Sequence, residues 1–182
     1  MKIIPTSISG LVVIEPIVFE DSRGYFFESF NEKKLSDAGI HLRFVQDNQS
    51  KSSYGVIRGL HYQLSPHAQT KLVRVLQGAI LDVAVDLRTK SATFGKTLGV
   101  ELSAENKKQL LVPRGFAHGF SVLTETAVVM YKCDEYYTPQ AERGIVFNDP
   151  ALNIDWRIPA GKEIVSDRDR NFKPFNQAEM NF

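Results

Sequence analysis

The clearest pattern in the chain is an alternation of apolar residues with small or polar ones over residues 79–87. Within it Leu81, Val83, Val85 and Leu87 recur at every second position, which places them on one face of a β-strand. Other short apolar runs, separated by turn residues, predict further strands. These runs are residues 11–14, 25–30, 44–48, 71–76, 95–102, 109–112, 119–122 and 127–136. Short strands at this spacing are typical of an all-β sandwich or barrel.

Only one segment, residues 31–39, predicts a helix of ordinary length. Asn31 is a favourable N-cap, Leu35 and Ala38 have helical spacing, and Gly39 is a typical stop. The C-terminal tail is rich in turn residues and predicts a short helix or two. We therefore expect an all-β fold with a few short helices.

Length and composition narrow the class of protein. A chain of 182 residues can build one domain with a real core, and no linker-like stretch divides it, so we expect a single domain over residues 1–182. The formal net charge of +1 argues against a nucleic-acid or membrane-surface binder. The single cysteine, Cys133, excludes an intrachain disulfide, and no long apolar segment is present. These features predict a soluble cytoplasmic protein.

Two histidine-containing motifs suggest where chemistry takes place. Gly55 lies six positions before His61, and the Pro-x-Gly-x-x-His sequence of residues 113–118 ends on His118. This spacing resembles the two motifs by which cupin barrels hold a metal. That resemblance predicts a double-stranded β-helix, or jelly roll, with both histidines near one interior site.

The positions that would bind the metal carry other residues here. The second histidine of the first motif is Gln63, and its glutamate falls near Lys71. An ammonium repels a divalent cation, an amide is a poor ligand for a transition metal, and two histidines alone are too few for a stable site. We therefore expect no metal, and organic acid/base chemistry in its place.

The two-residue period of a strand puts Gly59, His61 and Gln63 on one face of their strand. On the next strand, Lys71 shares a face with Val73 and Val75. A neutral imidazole can take a carbon-bound proton, and an ammonium can stabilise the resulting enolate. Tyr131, which alternates with apolar neighbours, could return a proton from the opposite side. No Gly-rich dinucleotide fingerprint follows a strand, so no redox step is expected.

At this point the ordered motifs resemble a known family over nearly the whole length. The chain is similar to the dTDP-4-dehydrorhamnose 3,5-epimerases, and many landmarks carry the resemblance. They are Asp21-x-Arg23-Gly24-x-Phe26-x-Glu28, Phe44-Val45-Gln46-Asp47-Asn48, Arg58-Gly59-Leu60-His61-Tyr62-Gln63, Lys71-Leu72-Val73-Arg74-Val75, Asp82-Val83-Ala84-Val85-Asp86-Leu87-Arg88, Pro113-x-Gly115-Phe116-Ala117-His118-Gly119-Phe120, Tyr131-Lys132 and Asn148-Asp149-Pro150. The resemblance implies a homodimer of jelly rolls with neither a metal nor an organic cofactor.

The resemblance also implies residue roles. His61 would be the general base, Tyr131 the general acid, Lys71 the enolate stabiliser and Asp169 the carboxylate that orients the histidine. The contacts to the nucleotide sugar would come from Arg23, Glu28, Gln46, Asn48, Arg58, His118, Glu142 and Arg168. The family's usual lysine is replaced by an arginine at position 168, which keeps the charge but changes the donor geometry.

The implied reaction inverts C3 and C5 of dTDP-4-dehydro-6-deoxy-D-glucose to give dTDP-4-dehydro-L-rhamnose. Three alternatives stay open on the sequence: an epimerase that acts at C3 or C5 alone, a ketoisomerase that moves the keto group, and a non-enzymatic sugar-binding cupin. A metal-dependent cupin oxygenase is disfavoured by Gln63 and Lys71. The sequence leaves open the order of the two steps and the molecule that receives the sugar.

Overall fold

The computed structural model describes all 182 residues and consists mainly of antiparallel β-sheet. Two short α-helices and two short 3-10 turns complete it; the helices are α1 (Glu32–Asp37) and α2 (Asp167–Arg170), and the turns are Pro139–Ala141 and Phe175–Gln177. The strands are β1 (Lys2–Pro5), β2 (Val12–Glu15), β3 (Val18–Asp21), β4 (Gly24–Phe27), β5 (Gln46–Ser53), β6 (Ile57–Gln63), β7 (Lys71–Gln77), β8 (Ala79–Asp86), β9 (Thr97–Ser103), β10 (Gln109–Val112), β11 (Phe116–Val122), β12 (Thr126–Cys133) and β13 (Glu142–Gly144).

Two sheets face one another. One has the strand order β1-β2-β10-β7-β12-β5, and the other has the order β13-β6-β11-β8-β9. Several neighbouring strands in the sheets, such as β10 and β7 or β11 and β6, are distant in sequence, which is the connectivity of a jelly roll. The predicted all-β, cupin-type jelly roll is therefore confirmed.

A buried apolar cluster fills the space between the two sheets. Its members come from inward-facing positions of both sheets, as the period of two requires. They include Val73, Val75, Ile80, Ala84, Leu110, Phe116, Phe120 and Val129. Because β7 and β8 each contribute alternate residues to this cluster, their intervening residues face outward, as the sequence pattern predicted.

The five-stranded sheet is covered on its outer face by the C-terminal segment. Leu81, Val83 and Val85 pack there against Phe147 and Trp156, and the indole Nε1 of Trp156 donates to the carbonyl oxygen of Phe147 at 2.8 Å. Both faces of this sheet are therefore shielded from water. This layer also fixes the C-terminal segment close enough to the sheet to reach the site between the sheets.

The predicted helix forms as α1 and covers part of the outer face of the other sheet. Asn31 caps the helix by accepting the Lys34 backbone N–H at 3.0 Å, and Leu35 packs into a small cluster with Ile14, Leu72 and Leu111. Gly39, with a φ of +82°, ends the helical segment in the left-handed conformation that favours glycine.

A bulge in β6 changes which side chains face the interior. The pairing of β6 with β11 shifts register between His118 and Phe120, and Gly59 lies at this shift, where an added Cβ would come within 2.5 Å of the Gly119 Cα. The predicted alternation therefore fails at Gly59, and Arg58 takes the face that His61 occupies. A one-residue bulge produces this change because it inserts an extra residue into the two-residue period.

Strands β3 and β4 form a separate hairpin that leaves large apolar side chains in water. Phe19, Tyr25 and Phe26 are 63%, 59% and 70% exposed. The strand predicted at residues 25–30 ends at Phe27, because beyond it the chain turns toward α1. No helix in the structure combines the length and apolar character needed to cross a membrane.

Candidate active site

A polar cavity of about 180 Å³ opens between the two sheets. Its walls come from β5, β6, β7 and β12 and from the segment that follows β12. The lining residues are Gln46, Asn48, His61, Tyr62, Gln63, Gln69, Lys71, Tyr131, Tyr137 and Glu142. Three residues predicted to carry catalysis, one from β6, one from β7 and one from β12, thus line one cavity.

His61 is held by a carboxylate from the C-terminal segment. Its Nε2 lies 2.9 Å from the Asp169 Oδ1, and the other carboxylate oxygen, Oδ2, accepts the Gly59 backbone N–H at 3.0 Å. With Nε2–H donating to the carboxylate, the lone pair of a neutral imidazole lies on Nδ1. The predicted histidine–aspartate pair is therefore present in the structure.

Local helix structure places Asp169. Ser166 caps α2, and its Oγ accepts the Asp169 backbone N–H at 3.1 Å. Burial raises the pKa of Asp169, but the hydrogen bond and charge of His61 and the Gly59 N–H outweigh it and hold that pKa below its ordinary value. The carboxylate is therefore ionised at neutral pH, as an orienting partner must be.

The ring of His61 is also fixed by aromatic packing. Phe172 meets it edge to face, with ring centroids 5.7 Å apart and planes at 76°. This arrangement is the favourable one for two rings. The imidazole is thus held by Asp169 at one nitrogen and by Phe172 on its side.

Tyr131 comes from β12, in the sheet that faces His61. Burial raises the pKa of its phenol, the Cys133 side chain raises it further, and the charge of Arg58 lowers it in part. The net shift is upward, so the hydroxyl stays protonated at neutral pH and can act as an acid.

Lys71 lies beside Tyr131, with its Nζ 5.7 Å from the centre of the tyrosine ring. Burial lowers the pKa of this ammonium, while the Cys133 side chain and the charges of Asp82 and Glu142 raise it. The net shift is downward. A weakly solvated ammonium of this kind donates strongly to a developing oxyanion.

Arg58 lies on the same face of β6 as His61 because of the bulge at Gly59, and its side chain is exposed. Its Nε donates to the Ser52 Oγ at 3.0 Å, which joins β6 to β5 across the gap between the sheets. The rest of the guanidinium has no protein partner and can fork onto an oxyanion.

Glu142, Arg168 and Tyr137 form a polar cluster at the cavity. The Arg168 Nη2 lies 2.5 Å from the Glu142 Oε1, and the Tyr137 hydroxyl donates to Oε2 at 2.5 Å. Burial raises the pKa of Glu142, but these two hydrogen bonds outweigh it and keep the carboxylate ionised. The arginine at position 168 therefore retains a partner in the predicted binding region.

Tyr137 was not singled out by sequence reasoning. It is half exposed, and its backbone N–H donates to the Gln46 Oε1 at 3.1 Å. Gln63, buried nearby, accepts the Thr138 N–H and donates to the His67 carbonyl, each at 2.6 Å. The sequence signal that could have identified Tyr137 is its place in an aromatic pair between β12 and a Thr-Pro turn.

The other residues predicted to contact the nucleotide sugar lie in different parts of the structure. Gln46 donates to the Asn48 Oδ1 at 3.0 Å on the β5 wall. His118 is buried, 6% exposed, with its Nε2 2.7 Å from the Asp82 Oδ1, and it does not line the 180 Å³ cavity. Its pairing with His61 in adjacent strands nevertheless places both rings on the same side of the sheet.

Arg23 and Glu28 are not brought to this cavity within the chain. Arg23 lies at the tip of the exposed hairpin and pairs only with Asp21, at 2.6 Å. Glu28 pairs with Lys34 at 2.7 Å and accepts from Asn31. Their predicted substrate contacts remain predictions. At no point do three or more His, Cys, Asp or Glu side chains converge as a metal site would require.

Comparison with known proteins agrees with this geometry. The model of the family described as dTDP-4-dehydrorhamnose 3,5-epimerase matches residues 5–177. The chain belongs to the dTDP-4-dehydrorhamnose 3,5-epimerase family. A family member from Shigella flexneri is 52% identical over 180 residues, covering 98% of both chains. The chain is thus an epimerase, as its relatives of this name are.

Two solved structures extend the match. The epimerase from Elizabethkingia anophelis is 57% identical, covers 97% of each chain and superposes with a TM-score of 0.93. The epimerase from Legionella pneumophila, solved in complex with dTDP-4-keto-L-rhamnose, is 50% identical, covers 97% of this chain and 93% of its own, and gives a TM-score of 0.92. The present epimerase therefore shares the fold of these enzymes over nearly its full length.

Proposed function

We propose that the protein inverts C3 and C5 of dTDP-4-dehydro-6-deoxy-D-glucose to give dTDP-4-dehydro-L-rhamnose by proton exchange. The observation that carries this proposal is that His61 and Tyr131 line opposite walls of one cavity. His61, with its aspartate partner, comes from one sheet, and Tyr131 with Lys71 comes from the other. Two faces of a bound sugar ring would therefore meet groups of opposite function.

The C4 ketone acidifies the hydrogens on C3 and C5. His61 Nδ1 takes one of these protons, and the electron pair of the C–H bond moves onto the C4 oxygen as an enolate. Lys71 stabilises that oxygen by charge and hydrogen bonding. Tyr131 then donates its proton to the same carbon from the opposite face.

The same cycle at the second carbon completes the reaction. Solvent takes the proton from the imidazolium and returns one to the phenolate, so no net charge or electrons are exchanged. Asp169 keeps Nε2 protonated and stabilises the imidazolium formed in each step, which is the orienting role of a carboxylate in a catalytic triad.

The size of the cavity supports a sugar-ring site. A volume of about 180 Å³ is below the roughly 300–1,000 Å³ of sites that enclose a drug-sized ligand. The nucleotide would therefore lie outside it, near Arg58 and the Glu142–Arg168 cluster. The Legionella pneumophila structure, which holds a dTDP-linked keto sugar, supports the assignment of such a ligand.

We also propose a homodimer in which the β3–β4 hairpin is covered by the partner subunit. The exposed Phe19, Tyr25 and Phe26 support this arrangement, because an apolar patch of this kind marks an interaction site. In such a dimer, Arg23 and Glu28 would serve the cavity of the partner subunit. We further propose that residues 1–182 act as one cytoplasmic domain that binds neither nucleic acid nor membrane.

Solvent exchange tests the reaction. The protein is incubated with the keto sugar nucleotide in D2O, and deuterium at each carbon is followed by NMR. Incorporation at both C3 and C5 is expected, with formation of the L-rhamno product. Deuterium at one carbon alone would assign a monofunctional epimerase, a shifted keto group would assign a ketoisomerase, and no exchange would leave a binding protein.

Two variants test the proposed roles of His61 and Tyr131. His61→Ala should abolish exchange at both carbons, and Tyr131→Phe should slow inversion while leaving binding of dTDP unchanged. Retained exchange in His61→Ala would mean that another base acts. Lys132→Ala is a matched control, since Lys132 follows Tyr131 on β12, faces away from the cavity and pairs with Asp47 at 3.0 Å.

A further inference from the structure

A second histidine–aspartate pair lies beside the first. His118 of β11 is the direct neighbour of His61 on β6, and its Nε2 contacts the Asp82 Oδ1 at 2.7 Å, as the His61 Nε2 contacts Asp169. Directly paired residues of adjacent strands project from the same face. Two imidazoles, each bound to a carboxylate through Nε2, therefore stand next to one another on the interior face of one sheet.

The His118 Nδ1 has no hydrogen-bond partner within the chain. It is not fully buried, in contrast to the Asp82 Oδ2. Since the Asp82 carboxylate holds Nε2, Nδ1 is the nitrogen left to meet a ligand. A ring fixed in this way has one defined orientation.

Asp82 itself is unusual. It is 0% exposed, and its Oδ2 is one of two buried side-chain polar atoms in the structure without any hydrogen-bond partner. A buried carboxylate oxygen without a donor is destabilising, so its presence calls for a functional reason. The cation whose ionisation it affects is Lys71, from the opposite sheet.

We propose that Asp82 is a positioning residue of this active site: it orients His118 toward the sugar and supplies the negative charge opposite Lys71. This inference rests on the proposed epimerase reaction and deepens it. In that reaction Lys71 must be cationic when the enolate forms, and the His118 Nδ1, whose lone pair is free when Nε2–H donates to Asp82, would accept a hydrogen bond from a sugar hydroxyl.

The groups around Lys71 explain why the Asp82 carboxylate matters for the pKa of this ammonium. Burial lowers the pKa of Lys71, and the groups that raise it are Cys133 on β12, Asp82 on β8 and Glu142 on β13. Glu142 is already paired with Arg168, and Cys133 is a buried thiol. The one side-chain partner of Asp82 is His118, so no arginine neutralises its charge by direct contact.

Asp82→Asn is the decisive variant. Asparagine has the same shape and can still accept the His118 Nε2–H, but it carries no charge. We expect kcat for exchange to fall roughly 10- to 100-fold, as for loss of one electrostatic contribution to an oxyanion, with KM changed little. The high-pH limb of the kcat profile should move to lower pH, because Lys71 would lose its proton earlier.

Asp86→Asn is the matched control. Asp86 lies on the same strand and face and is also 0% exposed, but its partners are Arg88, Ser91 and Thr93, outside the cavity. This variant should lower the thermal midpoint and leave the pH profile in place. An Asp82→Asn enzyme with wild-type kcat, or with a reduced kcat and an unshifted pH limb, would overturn the proposal.

A measurement on the unmodified protein covers the case in which Asp82→Asn does not fold. Long-range 1H–15N NMR of ring-labelled histidine reports which nitrogen of His118 is protonated. The proposal requires a proton on Nε2, and a ring with a lone pair there overturns it. If the wild-type protein exchanges no deuterium at all, the proposed epimerase reaction fails instead, and the two failures are distinguishable.

Discussion

Gly144 and Phe172 are in contact so close that no side chain fits at position 144. A Cβ atom there would lie 2.3 Å from the Phe172 Cε2. Gly144 pairs with His61 across β13 and β6, and Phe172 meets the His61 ring edge to face. The glycine thus provides the space in which an aromatic ring supports the His61 imidazole.

Gly144→Ala should therefore displace Phe172 and loosen His61. We expect a loss of about 1–3 kcal/mol in the free energy of unfolding, typical of overpacking, and a reduced kcat for exchange. Urea unfolding and initial rates measure the two effects. Gly99→Ala is the control, since its Cβ would meet only the flexible end of Leu81 at 3.0 Å.

A double variant checks the cause. In the Phe172→Ala background the clash is absent, so Gly144→Ala should cost much less stability there than in the wild type, while kcat stays low. An equal cost in both backgrounds would mean that the strain arises elsewhere around Gly144 and that the assigned contact is not its source.

Asp169→Asn should remove the orienting charge behind His61 and leave its volume unchanged. By analogy with the orienting carboxylate of a serine protease, kcat should fall by about 10⁴-fold with KM nearly constant. Steady-state kinetics on a folded sample, checked by circular dichroism, measures this. A variant that retains more than a tenth of the rate would show that His61 does not depend on Asp169.

Asp86 should make stability depend on acid pH. Burial raises its pKa, but hydrogen bonds from Arg88, Thr93 and Ser91 outweigh it and hold that pKa far below its usual range. Because the folded pKa is depressed, this contribution is complete above the unfolded value of about 3.9 and is lost as pH falls toward the folded value. Stability should therefore decline below about pH 4.

Urea unfolding from pH 7 to pH 3 tests this expectation. Asp86→Asn should lose roughly 2–4 kcal/mol at neutral pH, because a buried network loses its charged acceptor. The difference between variant and wild type should shrink as the pH is lowered. A constant difference over the whole range would assign the acid sensitivity to other carboxylates.

The exposed hairpin should determine the oligomeric state. Substituting both Phe19 and Phe26 by serine removes the largest exposed apolar side chains from it. Sedimentation velocity is expected to show a dimer for the wild type and a monomer for this variant, and KM should rise if Arg23 serves the partner's cavity. Ile164→Ser, at a 54% exposed position far along the chain, should change neither the oligomeric state nor KM.

Local patterns in the sequence determined much of the architecture. The two-residue period placed Leu81, Val83 and Val85 on one face, and the cap and stop residues set the ends of α1. Both depend only on residues that are close together in the sequence, so they can be inferred without knowing the fold. The order of His61, Lys71 and Tyr131 on three separate motifs likewise predicted a shared cavity once a barrel was assumed.

The tertiary structure decided what depends on distant parts of the chain. The bulge at Gly59, set by close approach to Gly119, put Arg58 on the face of His61, where simple alternation predicted Gly59. The contact of His118 with Asp82 joins neighbouring strands, and Tyr137 reaches the cavity through Gln46 on β5. No local pattern encodes these contacts, because each is made only when the sheets pack.

The sequence by itself therefore determined the strands, the helix and the residue types available for proton exchange. Only the folded chain decided which of them meet: the ring of His61 and the carboxylate of Asp169 are 108 positions apart and join because the C-terminal segment packs back across the sheet. Periodicity fixes the face on which a side chain lies, whereas long-range packing fixes its partner.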